Sequence, residues 1–178
     1  DFSFYSTFNP KAWRYDEPLR GADTVTLIGG GHVSLALSPL LVGLGMRVVV
    51  LDNRSGLDTM IHNRFAHACH VVHYKNIRPH IPTGSRSFVC IMTYGHQHDE
   101  MVLSQLAGLN LRYLGMMGSP HKIRTIFDHL RACGISRAAL GKVHAPIGLD
   151  IGSNTPEEIA VSITAEMIAV RNGVQRSG

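Results

Sequence analysis

The chain is poor in the residue patterns that mark secreted, disulfide-linked or membrane proteins. Its 178 residues include three cysteines, Cys69, Cys90 and Cys133, which lie far apart and form no CxxC pair. This spacing favours reduced thiols in the cytoplasm over a disulfide framework. No apolar run approaches the roughly 20 residues of a membrane span, and no basic region leads into an apolar stretch near the N-terminus. We therefore expect a cytoplasmic protein with no membrane partner and no signal peptide.

Charged residues are also sparse, at 17% of the sequence, and the basic residues behind the net charge of +4 are scattered. No basic stripe is interleaved with aromatic residues, so we expect no nucleic-acid partner. A mildly basic surface is compatible with ligands that carry phosphate. The hydrophobic content of 44% indicates a sizeable core, and the length suits one domain.

The first residues of the chain hold half of its aromatic side chains. These are Phe2, Phe4, Tyr5, Phe8, Trp13 and Tyr15. Because residues 1–23 show no clean hydrophobic period, we interpret them as an N-terminal arm preceding a domain over residues 24–178. An exposed apolar arm is unfavourable alone, so we expect it to pack on its own domain, on a preceding domain or on a second subunit, which favours a homo-oligomer. The chain begins with Asp1 rather than methionine, which is consistent with a fragment that lacks a preceding domain.

From Thr24 onward, short apolar segments alternate with segments of helical spacing. The predicted strands cover residues 25–28, 47–51, 69–72, 87–92 and 113–114, and the predicted helices cover residues 33–44, 99–107, 120–133 and 155–171. Apolar strands that alternate with helices imply a mostly parallel sheet covered on both faces. The predicted fold class is therefore α/β, a doubly wound, Rossmann-like single domain.

A glycine-rich loop, residues 29–33, follows the first predicted strand and opens the first predicted helix. Gly29 permits a tight turn, and Gly31 lets the backbone approach a pyrophosphate at the positive end of the helix. Asp52 ends the second predicted strand, where a carboxylate meets a ribose hydroxyl in dinucleotide-binding folds. We predict a phosphate- or nucleotide-binding loop, with a merely structural turn as the alternative. His32 either faces the ligand or is a solvated or capping side chain.

Two further turns are predicted at the same edge of the sheet. His96, His98 and Asp99 follow the fourth strand, but they lack further ligands and the spacing of dinuclear hydrolases, so we predict no metal site. They either contact a ligand or, through His96 or Asp99, cap a helix. Residues 115–119 follow the fifth strand and provide either a helix cap at Ser119 or a second backbone wall, with Lys122 or Arg124 near a phosphate.

The loop over residues 146–152 leads into a complete helix-start pattern. Thr155 is the expected N-cap, Pro156 the first helical residue, and Glu157 and Glu158 place negative charge in the first turn. Apolar residues alternate with turn residues in the loop, so it can pack on the core and present backbone to a ligand. No Ser-His-Asp arrangement or activated cysteine is identifiable, and we predict no catalytic residue.

Together these segments resemble the Rossmann-like C-terminal domain of the xanthine dehydrogenase accessory factor (XdhC/CoxI) family. The matching residues are 29–33, 50–54, Met92 and Thr93 with His96 and Asp99, 113–119, and 146–152 followed by 155–160, and this last block is the most specific. The resemblance implies a chaperone that binds the molybdenum cofactor, as molybdopterin or its dinucleotide form, during sulfuration and insertion. It also implies three partners: an apo molybdenum hydroxylase, a sulfur-donating desulfurase and further copies of the chain. Family members are not thought to turn over a substrate, which favours an accessory protein over an enzyme.

The predicted pocket lies across the carboxyl edge of the sheet. Its predicted cofactor-binding residues are Gly29, Gly30, Gly31, His32, Val33, Asp52, Arg54, His96, Asp99, Gly115, Gly118, Ser119, Gly148, Asp150 and Gly152. The alternative function is an NAD(P)-dependent oxidoreductase, which the glycine loop and Asp52 favour. Against it, candidates for a hydride-site acid or base come only from the loop that holds His96 and His98.

Overall fold

The computed structural model describes residues 2–6, 13–17 and 21–174, with side chains from residue 21 onward. Two short strands, β1 (Phe2–Ser6) and β2 (Trp13–Glu17), pair antiparallel within the predicted arm. The remainder of the arm, including Phe8, and the packing expected of its aromatic side chains lie outside the described residues. The prediction that the arm of residues 1–23 packs on its own domain, on a preceding domain or on a second subunit therefore stays a prediction.

The domain is built on a five-stranded parallel sheet. The strands are β3 (Thr24–Ile28), β4 (Arg47–Asp52), β5 (Ala68–Val71), β6 (Gly84–Ile91) and β7 (Leu111–Met116), in the order β5-β4-β3-β6-β7. The chain moves outward from β3 in one direction and then crosses back to β6 on the other side. This confirms the predicted doubly wound sheet, and it places a topological switch point between β3 and β6, where such folds bind ligands.

Helices cover both faces of the sheet. They are α1 (His32–Gly43), α2 (Asp58–Ile61), α3 (His96–Leu106), α4 (Pro120–Ala132), α5 (Arg137–Leu140) and α6 (Pro156–Arg171), with short 3-10 turns at Tyr74–Asn76 and Arg78–His80. On one face, α1 and α6 pack against each other around residues such as Leu37, Leu41 and Ile163. On the other face, α3 and α4 bury Leu103 and Ile126 against the sheet.

The central strands are buried on both sides because their side chains alternate between the two cores. In β3, Val25 and Leu27 face α1 and α6, whereas Ile28 faces α3 and α4. This double burial explains why the strands read as near-continuous apolar runs. The strand predicted at 113–114 is longer in the structure. β7 begins at Leu111, and the exposed Arg112 that follows it interrupts the apolar run. The sequence interpretation missed α2, α5 and both 3-10 turns, each too short to show a helical period.

The predicted start of the last helix is confirmed. The Thr155 hydroxyl accepts a hydrogen bond from the Glu158 backbone N–H, and the Glu158 carboxylate accepts one from the Thr155 N–H, which completes a capping box with Pro156 in the first turn. Across the described ranges, no helix combines the length and apolar character that a membrane crossing requires.

Candidate ligand-binding edge of the sheet

A row of backbone hydrogen bonds joins the carboxyl ends of four neighbouring strands. It runs from Gly29 N–H to Leu51 O (2.7 Å), from Met92 N–H to Ile28 O (2.8 Å) and from Met117 N–H to Ile91 O (2.8 Å). These bonds extend the sheet by one residue beyond the ends of β3, β6 and β7. The loops that follow these strands therefore begin at backbone positions that are fixed by hydrogen bonds.

Gly29 makes the tight turn predicted for it. Its φ is +110°, in the region that favours glycine, and a Cβ at this position would overlap the backbone carbonyl of Met92. The Ser34 hydroxyl donates to the Gly29 carbonyl, and the Ser38 hydroxyl donates to the Ser34 carbonyl at 2.7 Å. Both hydroxyls are buried. The bond from Ser34 joins α1 to the residue that follows β3, whereas the bond from Ser38 lies within α1.

Gly30 and Asp52 are hydrogen-bonded to each other beyond the carboxyl ends of the paired strands β3 and β4. The Gly30 N–H donates to the Asp52 carboxylate at 2.7 Å, and the Thr59 hydroxyl donates to the Gly30 carbonyl. The Met60 side chain lies against Gly30, where a Cβ would collide with it. In this conformation the Gly30 N–H, which we predicted to hold phosphate, is used by the protein itself.

Asp52 is fully buried, and Arg54 binds it in a two-pronged geometry. The Arg54 Nε and Nη2 lie 2.9 and 2.8 Å from the two carboxylate oxygens, and the Arg54 backbone N–H adds a third bond at 2.9 Å. Burial alone would raise the pKa of Asp52, but the hydrogen bonds from Arg54 and Gly30 outweigh it and hold the pKa below its ordinary value. A ribose hydroxyl would therefore have to displace Arg54 to reach this carboxylate.

Gly31 precedes the first turn of α1 and faces open space. It is the N-cap residue in extended conformation, and no atom lies within 4 Å of a Cβ built on it. The first turn of α1 has no acidic residue and no side-chain cap. His32 is exposed and Val33 half-buried. The positive end of α1 is therefore open to an anion at the predicted position.

A stack of side chains joins the loops after β4 and β6. The Arg54 guanidinium lies 4.3 Å from the Tyr94 ring centroid, and the Tyr94 and His98 rings are 4.9 Å apart. Tyr74 approaches the other side of His98 at 5.5 Å. His96, which we predicted as a ligand contact, is exposed, and Gly95 rather than His96 or Asp99 is the N-cap of α3. The capping alternative for those two residues is therefore wrong.

Asp99 is the second fully buried carboxylate at this edge. It accepts hydrogen bonds from the Thr93 hydroxyl at 2.6 Å and the Thr93 N–H at 3.1 Å, and the Lys122 ammonium forms an ion pair with it. Lys122 comes from α4, whose predicted N-cap Ser119 accepts the Lys122 N–H at 3.3 Å. A Cβ at Gly118 would meet the Lys122 side chain. Glycine at position 118 therefore leaves room for the Lys122 side chain to reach Asp99.

The loop over residues 146–152 is fastened to the core through Gly148. Gly148 has a φ of +90°, and its N–H donates to the Glu166 carboxylate at 2.8 Å. The Tyr113 hydroxyl and His144 Nδ1 also lie 2.6 and 3.1 Å from Glu166 oxygens. Glu166 is buried in α6 and was not singled out in the sequence, because a lone acid inside a helix gives no signal of what it meets in three dimensions. It fixes the loop that the prediction placed beside the ligand.

The structure separates the predicted loop residues by role. Residues 144–147 run parallel to the end of β7, where a Cβ at Gly115 would collide with the Ile147 side chain, so Gly115 serves this packing. Asp150 and Gly152 are exposed beyond it. Because the segment runs parallel to β7, the loop leaves the sheet at the carboxyl edge, as predicted. That this loop walls a ligand pocket stays a prediction, as do the contacts of Asp150 and Gly152.

Two of the three cysteines lie in surroundings that disfavour the reactive thiolate. Burial raises the pKa of Cys90, and it also raises the pKa of the exposed Cys69. Within residues 21–174, no group of three or more histidine, cysteine, aspartate or glutamate side chains is arranged to hold a metal ion.

Lowering the pH should destabilise the domain through Asp52 and Glu166. Burial raises the pKa of Glu166, but hydrogen bonds from His144, Tyr113 and Gly148 outweigh it, so the pKa lies below its ordinary 4.5, as that of Asp52 lies below 3.8. Groups with a lowered folded-state pKa contribute stability that is complete above the unfolded pKa and lost as the pH falls through the folded one. We expect the free energy of unfolding, measured in urea, to fall progressively below about pH 4.5.

The matched variants for this prediction are Glu166→Gln and Glu157→Gln. Glu166→Gln should flatten the decline of stability with falling pH, whereas Glu157→Gln, on the exposed first turn of α6, should leave its slope unchanged. A parallel decline in Glu166→Gln and the unaltered chain would show that Glu166 is not a source of the pH dependence.

The fold defines an α/β domain of the Rossmann type with a topological switch point between β3 and β6. The model of the family described as the XdhC Rossmann domain matches residues 25–167. The chain therefore belongs to the XdhC Rossmann domain family, which confirms the resemblance seen in the sequence.

Relatives of this chain include proteins named for xanthine dehydrogenase. The chain is 32% identical over 157 residues to the "uncharacterized protein YqeB" of Escherichia coli (strain K12). It is 27% identical over 148 residues to a protein of Bacillus subtilis (strain 168) that is named as a probable subunit of xanthine dehydrogenase. Each alignment covers 83% of this chain. A crystal structure of a xanthine dehydrogenase from Bacillus halodurans matches 93% of the chain with a TM-score of 0.74 and 25% identity.

The chain spans less than half the length of each of these relatives. The matches cover 27% of the Escherichia coli protein, 43% of the Bacillus subtilis protein and 46% of the Bacillus halodurans chain. What they share with this chain is the Rossmann domain, so the activity of the longer proteins is not carried over with it.

Proposed function

We propose that this domain binds the molybdenum cofactor as part of an accessory protein that assists sulfuration and insertion of the cofactor into a xanthine dehydrogenase-type molybdenum hydroxylase. The observation that carries the proposal is the charge balance at the carboxyl edge. Asp52 and Asp99, the buried acids there, are each paired with a cation, Arg54 and Lys122, while the N-terminus of α1 is open. An edge with neutralised acids and an open helix end is suited to an anionic ligand.

The residues present fit the phosphate of such a cofactor. The space over Gly31 is vacant enough for a side chain, and the first turn of α1 has no competing carboxylate. Backbone N–H groups of Gly31, His32 and Val33 would hold the phosphate, since Gly30 already donates to Asp52. When bound, the cofactor supplies the molybdenum centre at which an oxo ligand is exchanged for a sulfido ligand.

In this proposal, the residues of this chain bind the cofactor and shield it. The paired carboxylates Asp52 and Asp99 orient the turns around the crevice, and the loop fixed by Glu166 walls one side. We propose the apo molybdenum hydroxylase and a sulfur-donating desulfurase as partners, and self-association as the state of the chain. The relatives named for xanthine dehydrogenase support this choice of target.

A nicotinamide-dependent oxidoreductase is the second candidate. The glycine loop and Asp52 occupy the positions they have in dinucleotide-binding folds, which favours it. The two-pronged bond from Arg54 weighs against it, because both oxygens of Asp52 already accept hydrogen bonds from the protein. The two candidates differ in the ligand that should stabilise the folded chain.

Replacing Gly31 with valine should abolish cofactor binding while leaving the chain folded. Gly31 has a φ of −73° and no neighbour near a Cβ, so valine is accommodated in the protein but fills the space for the phosphate. The measurement is the thermal midpoint with and without molybdenum cofactor, with NAD, NADP, AMP and CTP in parallel. A ligand that binds the folded state must raise the midpoint by mass action.

The matched control is Gly43→Val, at the other end of α1, where a Cβ also meets nothing within 4 Å. Molybdenum cofactor should raise the midpoints of the unaltered chain and of Gly43→Val, but not that of Gly31→Val. An equal rise in all three would place the ligand elsewhere. A rise with NAD or NADP alone would favour the oxidoreductase.

A further inference from the structure

The outer edge of the sheet at β5 is exposed along nearly its whole length. β5 is the last strand on its side, and among the described strands it pairs only with β4. Cys69, His70 and Val71 are exposed, and only Ala68 is partly covered. A strand paired on one side directs half of its backbone N–H and C=O groups outward, so this edge can accept another strand.

The sequence around this edge contains no acidic residue. Between Asp58 and Asp99 there is no aspartate or glutamate, and the exposed basic residues and histidines there include Arg64, His67, His70, Lys75 and Arg78. We call the exposed face of residues 61–78 the β5 surface. Its charge is positive, in contrast to the balanced pairs at the carboxyl edge.

The β5 surface also exposes large apolar side chains. Ile61, Phe65 and Val71 are 66%, 52% and 58% exposed. The Cys69 thiol lies 3.8 Å from the Met60 carbonyl, which places this face of β5 beside α2. Val71 is two residues further along the strand and shares that face of β5 with Cys69.

We propose that the β5 surface binds an extended acidic segment of a partner protein, which adds to β5 as a sixth strand. The open backbone edge supplies the main-chain hydrogen bonds, and the apolar side chains receive alternate residues of the incoming strand. The basic residues require an acidic partner, since a second copy of the chain would place the same positive charge against itself. This site is separated from the crevice between β3 and β6 by two strands and does not depend on the proposed cofactor.

The probe for this site is a synthetic, fluorescently labelled peptide of alternating glutamate and valine, seven residues long. Its fluorescence anisotropy should report saturable binding that weakens as salt is added. Hydrogen exchange should show new protection of those backbone amides of residues 68–71 that point away from β4. The same peptide with all of its backbone nitrogens methylated keeps its charge but has no backbone N–H to donate to β5 from either edge, and it should not bind.

Charge reversal tests the surface from the protein side. Arg64→Glu with Lys75→Glu should raise the Kd at least about tenfold, because the two reversals change the local charge from attractive to repulsive. The matched control, Arg137→Glu with Lys142→Glu, reverses two exposed charges on and after α5 and should leave the Kd unchanged.

The proposal is overturned if the methylated peptide binds equally well, or if both double variants lose binding to the same extent. It is also overturned if the unmethylated peptide does not bind, or if an oligodeoxythymidine or vesicles of anionic lipid bind this surface more tightly than the peptide does.

Discussion

Replacing Gly29 with alanine is expected to lower the free energy of unfolding by about 2 to 4 kcal/mol, from backbone strain and overpacking together. With a φ of +110°, Gly29 has a conformation that side chains of L-residues rarely adopt. The added Cβ would also overlap the carbonyl of Met92, which is backbone and cannot rotate away. Met92 is itself held by its hydrogen bond to Ile28, so neither strand can move independently.

Gly31→Ala is the matched control for this prediction, since it makes the same chemical change two residues along the same loop. No atom lies near a Cβ there and its φ is negative, so we expect the free energy of unfolding to change by less than about 1 kcal/mol. Urea unfolding followed by circular dichroism measures both. Equal stability of the two variants would show that the β3 and β6 ends separate more easily than their close approach implies.

Replacing Lys122 with methionine is expected to cost about 3 to 5 kcal/mol, the loss typical of removing one partner of a buried ion pair. Asp99 is fully buried, and without Lys122 its carboxylate keeps only the hydrogen bonds from Thr93. Methionine retains most of the apolar stem of lysine, so the effect reports the charge rather than a cavity. Urea unfolding at neutral pH measures it.

The double variant Asp99→Asn with Lys122→Met tests the cause of that loss. Asparagine retains an oxygen for the Thr93 donors but has no charge, so stability should recover in part. Lys142→Met, at an exposed lysine after α5, controls for the substitution itself and should leave the stability unchanged. If the double variant is no more stable than Lys122→Met alone, the loss does not come from an unpaired carboxylate.

The sheet was predictable from the sequence because the pattern that indicates each strand lies in consecutive residues. Strands β3 and β4 and the second half of β6 are apolar runs, and the last helix, α6, has a clear start signal in Thr155 and Pro156. The family resemblance followed from the same local segments. Short elements such as α2 were missed, because four residues are too few to show a period.

The partners of the charged site residues could not be predicted, because they come from distant parts of the chain. Asp52 was expected to face a ligand, yet the bonds from Gly30 and Arg54 occupy it. Asp99 and Lys122 are 23 residues apart in sequence, and nothing local indicates that α4 delivers the lysine to α3. Burial and pairing are properties of the packed structure, whereas the position of a carboxylate at a strand end is a property of the sequence.

The row of backbone hydrogen bonds joins the ends of β4, β3, β6 and β7. It separates strand ends whose structure is fixed from loops whose sequence and structure can change. The row uses main-chain atoms, so most substitutions at its positions leave it intact, with Gly29 as the exception. The side chains that face the crevice lie instead on the loops that start from it. Proteins that share this sheet can therefore differ in ligand preference through changes in the loops alone, while the hydrogen-bonded strand ends stay the same.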